Sequence, residues 1–314
     1  MKIHEGNIKG EIRNPVATIG IFDGVHLGHQ KIIEHLGKVA KDIGGESVIV
    51  TLWPHPRIIL EGADTNLRLL STPGEKKCLL EKAGLDHLFI IPFTKEIGNL
   101  APYEFTKQYL ANTLDIKHLL FGYNNRFGKN REGNYAAMQT YSKEFNFTMD
   151  TVPAVNYQGS KISSSIIRNL LLGGEIRRAN RYLGYPFFIQ GTVVAGKKLG
   201  RTLGFPTANL AINESFKLLP MDGVYAVEVC YQDKIFKGMM NIGKRPTINK
   251  ELNALTSIEV HIIHFDQDIY NEEICLRFLH RIRDEKKFID IDSLKKQLEY
   301  DKQNVISLFE KMKD

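Results

Sequence analysis

The hydrophobic period of the sequence changes at Gly184-Tyr-Pro186, from the roughly 3.6-residue spacing of helices to the roughly two-residue alternation of half-buried strands. That change limits the chain to folds that join a strand–helix half to an all-β half, with the junction at 183–187. A chain of 314 residues is long enough for two domains, each with its own core. No internal repeat or low-complexity tract interrupts either half.

In the first half, apolar runs at 15–22, 46–52, 86–92, 118–122 and 148–155 alternate with helical patterns. The helix after the first run is marked by Ile32, Ile33, Leu36, Val39, Ala40 and Ile43. Another starts from Thr72 as N-cap, Pro73 and Glu75, and runs to about Ala83. Further helices are expected from Pro102 to about Asn112 and over 135–145, 163–172 and 175–183. This alternation predicts an open, mostly parallel sheet with helices on both faces.

Three places in that half carry chemistry. The stretch Ile19-Gly-Ile-Phe-Asp-Gly-Val-His-Leu-Gly-His-Gln30 is a strand, a glycine turn and a helix start with His26 and His29 beside it. Free N–H groups at such a helix start face an anion, so the stretch is a phosphate mouth or, equally, a structural turn with surface histidines. It is neither a Walker A loop nor a GxGxxG fingerprint, and the histidine spacing is not that of an HExxH zinc protease. In Trp53-Pro-His-Pro-Arg57 two prolines force an extended loop beyond a strand end, where open parallel sheets place ligands, so His55 and Arg57 are candidates. Ser163, Ser164 and Ser165 open a helix with Arg168 one turn on, and three hydroxyls exceed what a cap needs. The polar, basic loop 123–133 fits a nucleotide contact or ordinary surface.

The second half reads as antiparallel strands at 187–194, 223–231, 234–242, 257–264 and 272–281, a small barrel or sandwich, closed by a helix at 291–311. The segment Gly196-Lys-Lys-Leu-Gly-Arg-Thr-Leu-Gly-Phe-Pro-Thr-Ala-Asn209 is glycine-rich and basic. Its glycines let backbone N–H groups approach a polyphosphate, while Thr207 and Asn209 offer neutral oxygens that magnesium accepts beside phosphate and water. The alternative is a long hairpin with a buried asparagine. Glu259 shares a strand face with His261 and Ile263, opposite Ile258, Val260 and Ile262. A carboxylate there is costly unless paired, for instance with Arg281, or used as a base. The pattern by itself favours the pairing.

The net charge of +6 suits substrates with several phosphates better than it suits nucleic acid. Cys78, Cys230 and Cys275 lack metal-ligand spacing and argue for a reducing compartment. The N-terminus lacks an apolar signal core, and no apolar run approaches membrane-spanning length. A cytoplasmic protein with small-molecule substrates is expected, with no nucleic-acid, membrane or stable protein partner.

Taken together, these residues resemble the bacterial bifunctional riboflavin kinase/FAD synthetase family along essentially the whole chain. Gly20-x-Phe22-Asp23-Gly24-x-His26-x-Gly28-His29 is similar to its adenylyltransferase motif. Pro54-His55-Pro56 and Ser163-Ser164-Ser165-x-x-Arg168 match its flavin and ATP segments. Gly204-Phe205-Pro206-Thr207-Ala208-Asn209 is the most specific match, followed in order by Asn241-Ile-Gly-x-Arg-Pro-Thr247, Glu259-x-His261, Asp268-Ile-Tyr270 and Arg281-Ile-Arg-x-Glu-x-Lys-Phe288.

The resemblance implies an α/β architecture: a parallel-sheet nucleotidyltransferase domain over 1–184, then a small antiparallel β-barrel kinase domain over 185–314 with a C-terminal helix. It implies phosphorylation of riboflavin to FMN by ATP with Mg2+, then adenylylation of FMN to FAD with release of pyrophosphate. Glu259 would act as the kinase base, and Thr207 and Asn209 would hold magnesium. His26, His29 and Arg168 would serve adenylylation. Phe22, Asp23, Gly24, Gly28, His55, Pro56, Asn124, Arg126, Ser163, Ser164 and Ser165 would bind substrate in the first domain. Gly196, Lys198, Gly200, Gly204, Phe205, Pro206 and Arg281 would do so in the second. The family's Gly-x-Asp-Phe-x-Phe-Gly loop here reads Gly122-Tyr-Asn-Asn-Arg-Phe-Gly128, Ser165 replaces threonine, Tyr185 stands for arginine, and Asn271 stands for glycine. Two other readings stand beside the bifunctional one. One is a chain with a single working module, adenylylation being the silent half. The other is a flavin- or nucleotide-binding regulator, against which the retained Glu259 argues.

Overall fold

The structure is a computed structural model and describes residues 1–62, 66–122, 125–152, 156–157, 160–196, 199–244 and 256–312. The chain divides into two compact units, Met1–Ser164 and Ser165–Asp314. Of the residues singled out above, Asn124, Lys198 and Arg245-Pro-Thr247 lie outside the described residues.

The first unit contains strands β1 (Lys2–His4) and β2 (Pro15–Ile19), helix α1 (Leu27–Asp42), β3 (Glu46–Trp53), α2 (Pro56–Glu61), α3 (Pro73–Lys82) and β4 (His87–Pro92). Then follow the short helices α4 (Lys95–Gly98) and α5 (Pro102–Phe105), β5 (His118–Gly122), α6 (Tyr135–Glu144), β6 (Thr148–Val152) and a two-stranded hairpin, β7 (Asn156–Tyr157) and β8 (Ser160–Lys161). Six strands form one sheet in the order β1-β4-β3-β2-β5-β6, and every pairing in it is parallel.

Alternation along the central strands fills both faces. Ala17, Val48, Val50, Phe89, Ile91, Leu119 and Phe121 pack on one side with Phe105, Leu110 and Met138. Val16, Ile49, Leu88 and Leu120 pack on the other with Ile33, Leu36 and Ala40 of α1 and Leu80 of α3. Three details differ from the sequence reading. The first long strand ends at Ile19 rather than residue 22, because the chain turns at Phe22 and Gly24 through the left-handed region, with φ of 53° and 77°. The edge strand β1 is too short to announce itself. The helix after Pro102 passes into a π-helix over Thr106–Thr113, closed by Leu114 N–H donating to the Tyr109 carbonyl at 3.1 Å.

The second unit is led by α7 (Ser164–Leu172), whose first residue belongs to the first unit, and α8 (Ile176–Leu183). A closed six-stranded barrel follows, with the order β10-β13-β12-β11-β14-β9. Its elements are β9 (Phe188–Val194), the short helix α9 (Leu199–Thr202), β10 (Ala208–Ala211), β11 (Gly223–Tyr231), β12 (Lys234–Lys244), β13 (Thr256–Ile262) and β14 (Glu273–Arg283). The sixth strand, β10, was concealed by its place at the end of the glycine-rich segment, and its four residues close the barrel between β9 and β13. The final helix, α10 (Ile291–Lys311), lays Leu294, Leu298, Val305, Leu308 and Phe309 against barrel residues that include Val224, Ala226 and Met239. The pair Arg283–Asp301 pins it: Arg283 donates to both carboxylate oxygens at 2.7–3.1 Å, and Asp301 is 1% exposed. Asn271 takes the left-handed conformation, φ 64°, which asparagine tolerates better than most residues.

Candidate active sites

In the first unit the chain runs from β2 to β3 and β4 on one side and returns to β5 on the other, so the strand order reverses between β2 and β5. Ligands of open parallel sheets bind beyond the strand ends at that point. Gly20, the Phe22–Gly24 turn and the start of α1 stand there. The amide of Asn125 reaches across to the Ile19 carbonyl at 3.4 Å.

The turn is held from three directions. The Asp23 carboxylate accepts from the Leu70 and Ser71 N–H groups, both at 3.1 Å, and Gly24 N–H donates to Ser71 Oγ at 3.1 Å. Any side chain at Gly24 would run into Leu70, which fixes glycine there together with its positive φ. Ser164 Oγ donates to the Asp23 carbonyl at 2.9 Å, which joins the serine run to the turn across 141 residues of sequence. From α3, Lys76 donates to the Ile21 carbonyl at 3.1 Å.

His26 caps α1, accepting from His29 N–H through Nδ1 at 3.3 Å. The two imidazoles stack with centroids 3.6 Å apart, and Phe22 leans on His29 at 4.8 Å. His29 Nδ1 is buried with no hydrogen-bond partner among the described residues. A buried ring nitrogen without a partner is unusual and fits a group that completes its bonding with ligand. Burial, then His26, then Lys76 hold the His29 pKa well below the usual histidine range, so its ring is neutral near pH 7. Beyond the end of β3, His55 caps α2 by accepting from Arg57 N–H at 3.1 Å, with Pro56 as the first helical residue. Arg57 itself pairs with Glu61 at 2.6 Å. Gly28 is buried in α1, and Arg126 is exposed. Ser163 and Ser164 are half-buried, whereas Ser165 and Arg168 belong to the second unit and approach each other at 3.4 Å.

In the barrel, register brings polar residues of three strands level. Asn209 on β10 and Asn241 on β12 both lie directly opposite Glu259 on β13. Cross-strand neighbours of this kind have Cβ atoms about 5 Å apart. A side chain at Gly196 would collide with the Asn209 amide, and one at Gly200 with the Phe205 carbonyl, so both glycines are required by close approach. Gly204 turns with φ 84°. Glu259, Asn241 and Thr207 line a cavity of about 250 Å³ whose apolar wall includes Leu203, Phe205, Met239 and Leu298. Thr207 and Pro206 also line a second cavity of about 390 Å³, with Arg201, Asp268 and Tyr270.

His261 Nδ1 lies 2.8 Å from the Pro206 carbonyl and its ring meets Phe205 edge-on, which steadies the Pro206-Thr207 segment. Arg281 is engaged by Asp284 at 2.6 Å and by the Asp222 carbonyl at 2.6 Å, and Gly174 leaves room for its side chain. The pairing of Glu259 with Arg281 that the strand pattern favoured is therefore not formed, and Arg281 is not among the residues lining either cavity.

Magnesium fits the donor set at this site. Thr207 and Asn209 supply neutral oxygens, and Gly196 leaves the space in which the Asn209 amide lies. Among the described residues no group of three or more His, Cys, Asp or Glu side chains converges as a metal cage.

The sequence reading did not pick out Ser71 or Lys76. Both lie in the segment that caps α3, where the Thr72–Glu75 box accounts for the residue pattern without a further role. Asn241 was seen only as part of a motif; its role as a neighbour of Glu259 comes from strand register.

Burial lowers the pKa of His29, His87, His118 and His261. The folded chain then binds fewer protons than the unfolded chain as these groups titrate. The stability they leave intact above the unfolded value of about 6.5 is lost as pH falls through it. The expected result is a melting temperature that drops between about pH 7.5 and 5.5; a constant or rising value would contradict it.

Comparison with known proteins agrees with this division. Residues 8–166 match the FAD synthetase family model and residues 183–309 match the riboflavin kinase model. The chain is 38% identical to a bifunctional riboflavin kinase/FMN adenylyltransferase of Bacillus subtilis, covering 98% of this chain and 96% of that protein. It is also 38% identical to one from Haemophilus influenzae over 93% of both chains. A crystal structure described as a macrolide-efflux protein from Streptococcus pneumoniae superposes with a TM-score of 0.87 at 32% identity, covering 96% of this chain and 98% of that one. No helix among the described residues of the present chain is long and apolar enough to cross a membrane. The full-length likeness and the two matched models show that the chain belongs to the bifunctional riboflavin kinase/FMN adenylyltransferase family.

Proposed function

We infer that the chain converts riboflavin to FMN in its barrel and FMN to FAD in its parallel-sheet unit, using ATP twice. The kinase domain is taken as 185–314 and the adenylyltransferase domain as 1–184. The observation that carries the kinase reading is the level row Asn209–Glu259–Asn241, of which Glu259 and Asn241 line one cavity, with Thr207 shared between that cavity and the next.

The apolar cavity beside Glu259 takes the flavin, and the second cavity takes ATP, so that the two substrates meet at Thr207. Glu259 accepts the proton of the terminal ribityl hydroxyl. The freed oxygen attacks the γ-phosphorus, the bond to ADP breaks, and ADP departs. Thr207 and Asn209 would hold magnesium, which when bound neutralises phosphate charge. The glycines at 196, 200 and 204 let the backbone close on the nucleotide.

In the first unit the phosphate of FMN is already ionised, so adenylylation needs no protein base. Its oxygen attacks the α-phosphorus of ATP and pyrophosphate leaves. Here His26 and His29 orient and stabilise the phosphates, with Ser163–Ser165 and Arg168 assigned to the same task. Phe22, His55 and Pro56 are assigned to the flavin and adenine. Asp23 and Gly24 shape the turn that presents the backbone. Cysteines as sparse as Cys78, Cys230 and Cys275 suit a reducing, cytoplasmic setting.

The test is to supply riboflavin or FMN separately, with ATP and magnesium, and to resolve FMN from FAD over time. Both conversions are expected. FMN without FAD would leave one working module, and neither product would reduce the chain to a binding protein.

A further inference from the structure

Lys76 does not behave like a surface lysine. It is 7% exposed and lies in the first turn of α3, where the helix dipole disfavours a cation. Its ammonium donates to the Ile21 carbonyl at 3.1 Å and stands 5.9 Å from the centre of the Trp53 ring. A lysine held in such a place gives up hydration that only fixed partners can replace. Its partners all belong to the adenylylation mouth. Ile21 precedes Phe22, a bulky residue with φ 53°, a strained conformation that the surrounding structure must impose. The Ile21 carbonyl is the group that Lys76 anchors.

We propose that Lys76 is a positioning residue for adenylyl transfer: its charged ammonium holds the Ile21–Gly24 turn in place beneath the phosphates. The inference rests on the adenylylation reading of this unit. Among the described residues, the charged and titratable groups beside Lys76 include Asp23 of the turn, which favours its charged form, His29 on α1 with His26 at its N-cap, and Glu75, which precedes it on α3; β3 contributes the Trp53 ring. Burial outweighs Asp23 and brings the Lys76 pKa down to about 8. Lys76 in turn helps lower the pKa of His29. Loss of the Lys76 proton would weaken the hydrogen bond to the Ile21 carbonyl and remove a cation from beneath the site, so FAD synthesis should fall at mildly alkaline pH. FMN synthesis in the barrel has no such dependence on Lys76.

The experiment measures kcat and KM for both conversions by the full-length chain across a pH series. The wild-type kcat for FAD formation from FMN is expected to fall with a midpoint near pH 8, a limb absent from FMN formation. Lys76→Arg, which stays charged, should move that limb to higher pH. Lys76→Met should lower kcat for FAD formation about 100-fold through misplacement of the mouth, with the KM for FMN and the kinase rate little changed. Lys76→Met within threefold of wild type, or a limb that persists in Lys76→Arg, would overturn the proposal. Should a variant also lose kinase activity, the wild-type profile decides, and a flat FAD rate through the alkaline range overturns it. A wild-type chain that makes no FAD from FMN at any pH would instead contradict the adenylylation reading beneath it.

Discussion

Glu259→Gln is expected to abolish FMN formation from riboflavin while leaving FAD formation from supplied FMN at the wild-type rate. The substitution keeps the size and hydrogen-bonding shape of the side chain opposite Asn209 and Asn241. It removes the negative charge and with it the capacity to accept the hydroxyl proton. A general base contributes about 10²–10⁴-fold, so the residual kinase rate should fall by at least that lower factor. The KM for riboflavin should change far less, because the apolar wall formed by residues such as Phe205, Met239 and Leu298 is untouched. Loss of both activities in a folded variant would refute the division of labour.

The second large effect is the mirror image. His29→Ala should reduce FAD formation from FMN by about 10²–10³-fold, the range for removing one donor preorganised toward developing charge. Riboflavin supplied to this variant should accumulate as FMN. His29 lies between His26 and Phe22, so the substitution leaves a gap beside the mouth. The main chain there is independently tied by Ser71, Ser164 and Lys76. The fold should therefore survive, and kinase turnover should serve as the internal control for it. FAD formation within a few-fold of wild type would show that His29 is a structural turn residue after all.

Much of this was legible in the sequence because it depends on local periodicity. The switch from helix to strand spacing at Gly184-Tyr-Pro186 falls between α8 and β9, inside the second unit, which begins at Ser165. The glycine turn after β2 marks the mouth because Gly24 must adopt φ 77° against Leu70. What was not legible depends on long-range closure. β10 is four residues long and is defined by its partners β9 and β13 rather than by its own pattern. The π-helical stretch Thr106–Thr113 keeps a helical pattern while changing its hydrogen bonds. That Arg281 pairs with Asp284 and the Asp222 carbonyl rather than with Glu259 depends on contacts that strand alternation does not specify. Asp23, assigned from its motif to substrate, also accepts from the Leu70 and Ser71 N–H groups, contacts made across 47 and 48 residues of sequence. Lys76 was hidden in a capping sequence that reads as complete without it.

The central claim is that one chain holds two independent sites joined by FMN, and mixing the two variants tests it most directly. Glu259→Gln alone and His29→Ala alone, each given riboflavin, ATP and magnesium, should produce no appreciable FAD. Combined in one vessel they should produce it, after a lag set by FMN released from the His29→Ala chain and captured by the Glu259→Gln chain. A mixture that makes no FAD, or a Glu259→Gln chain that makes FAD from riboflavin unaided, would contradict it.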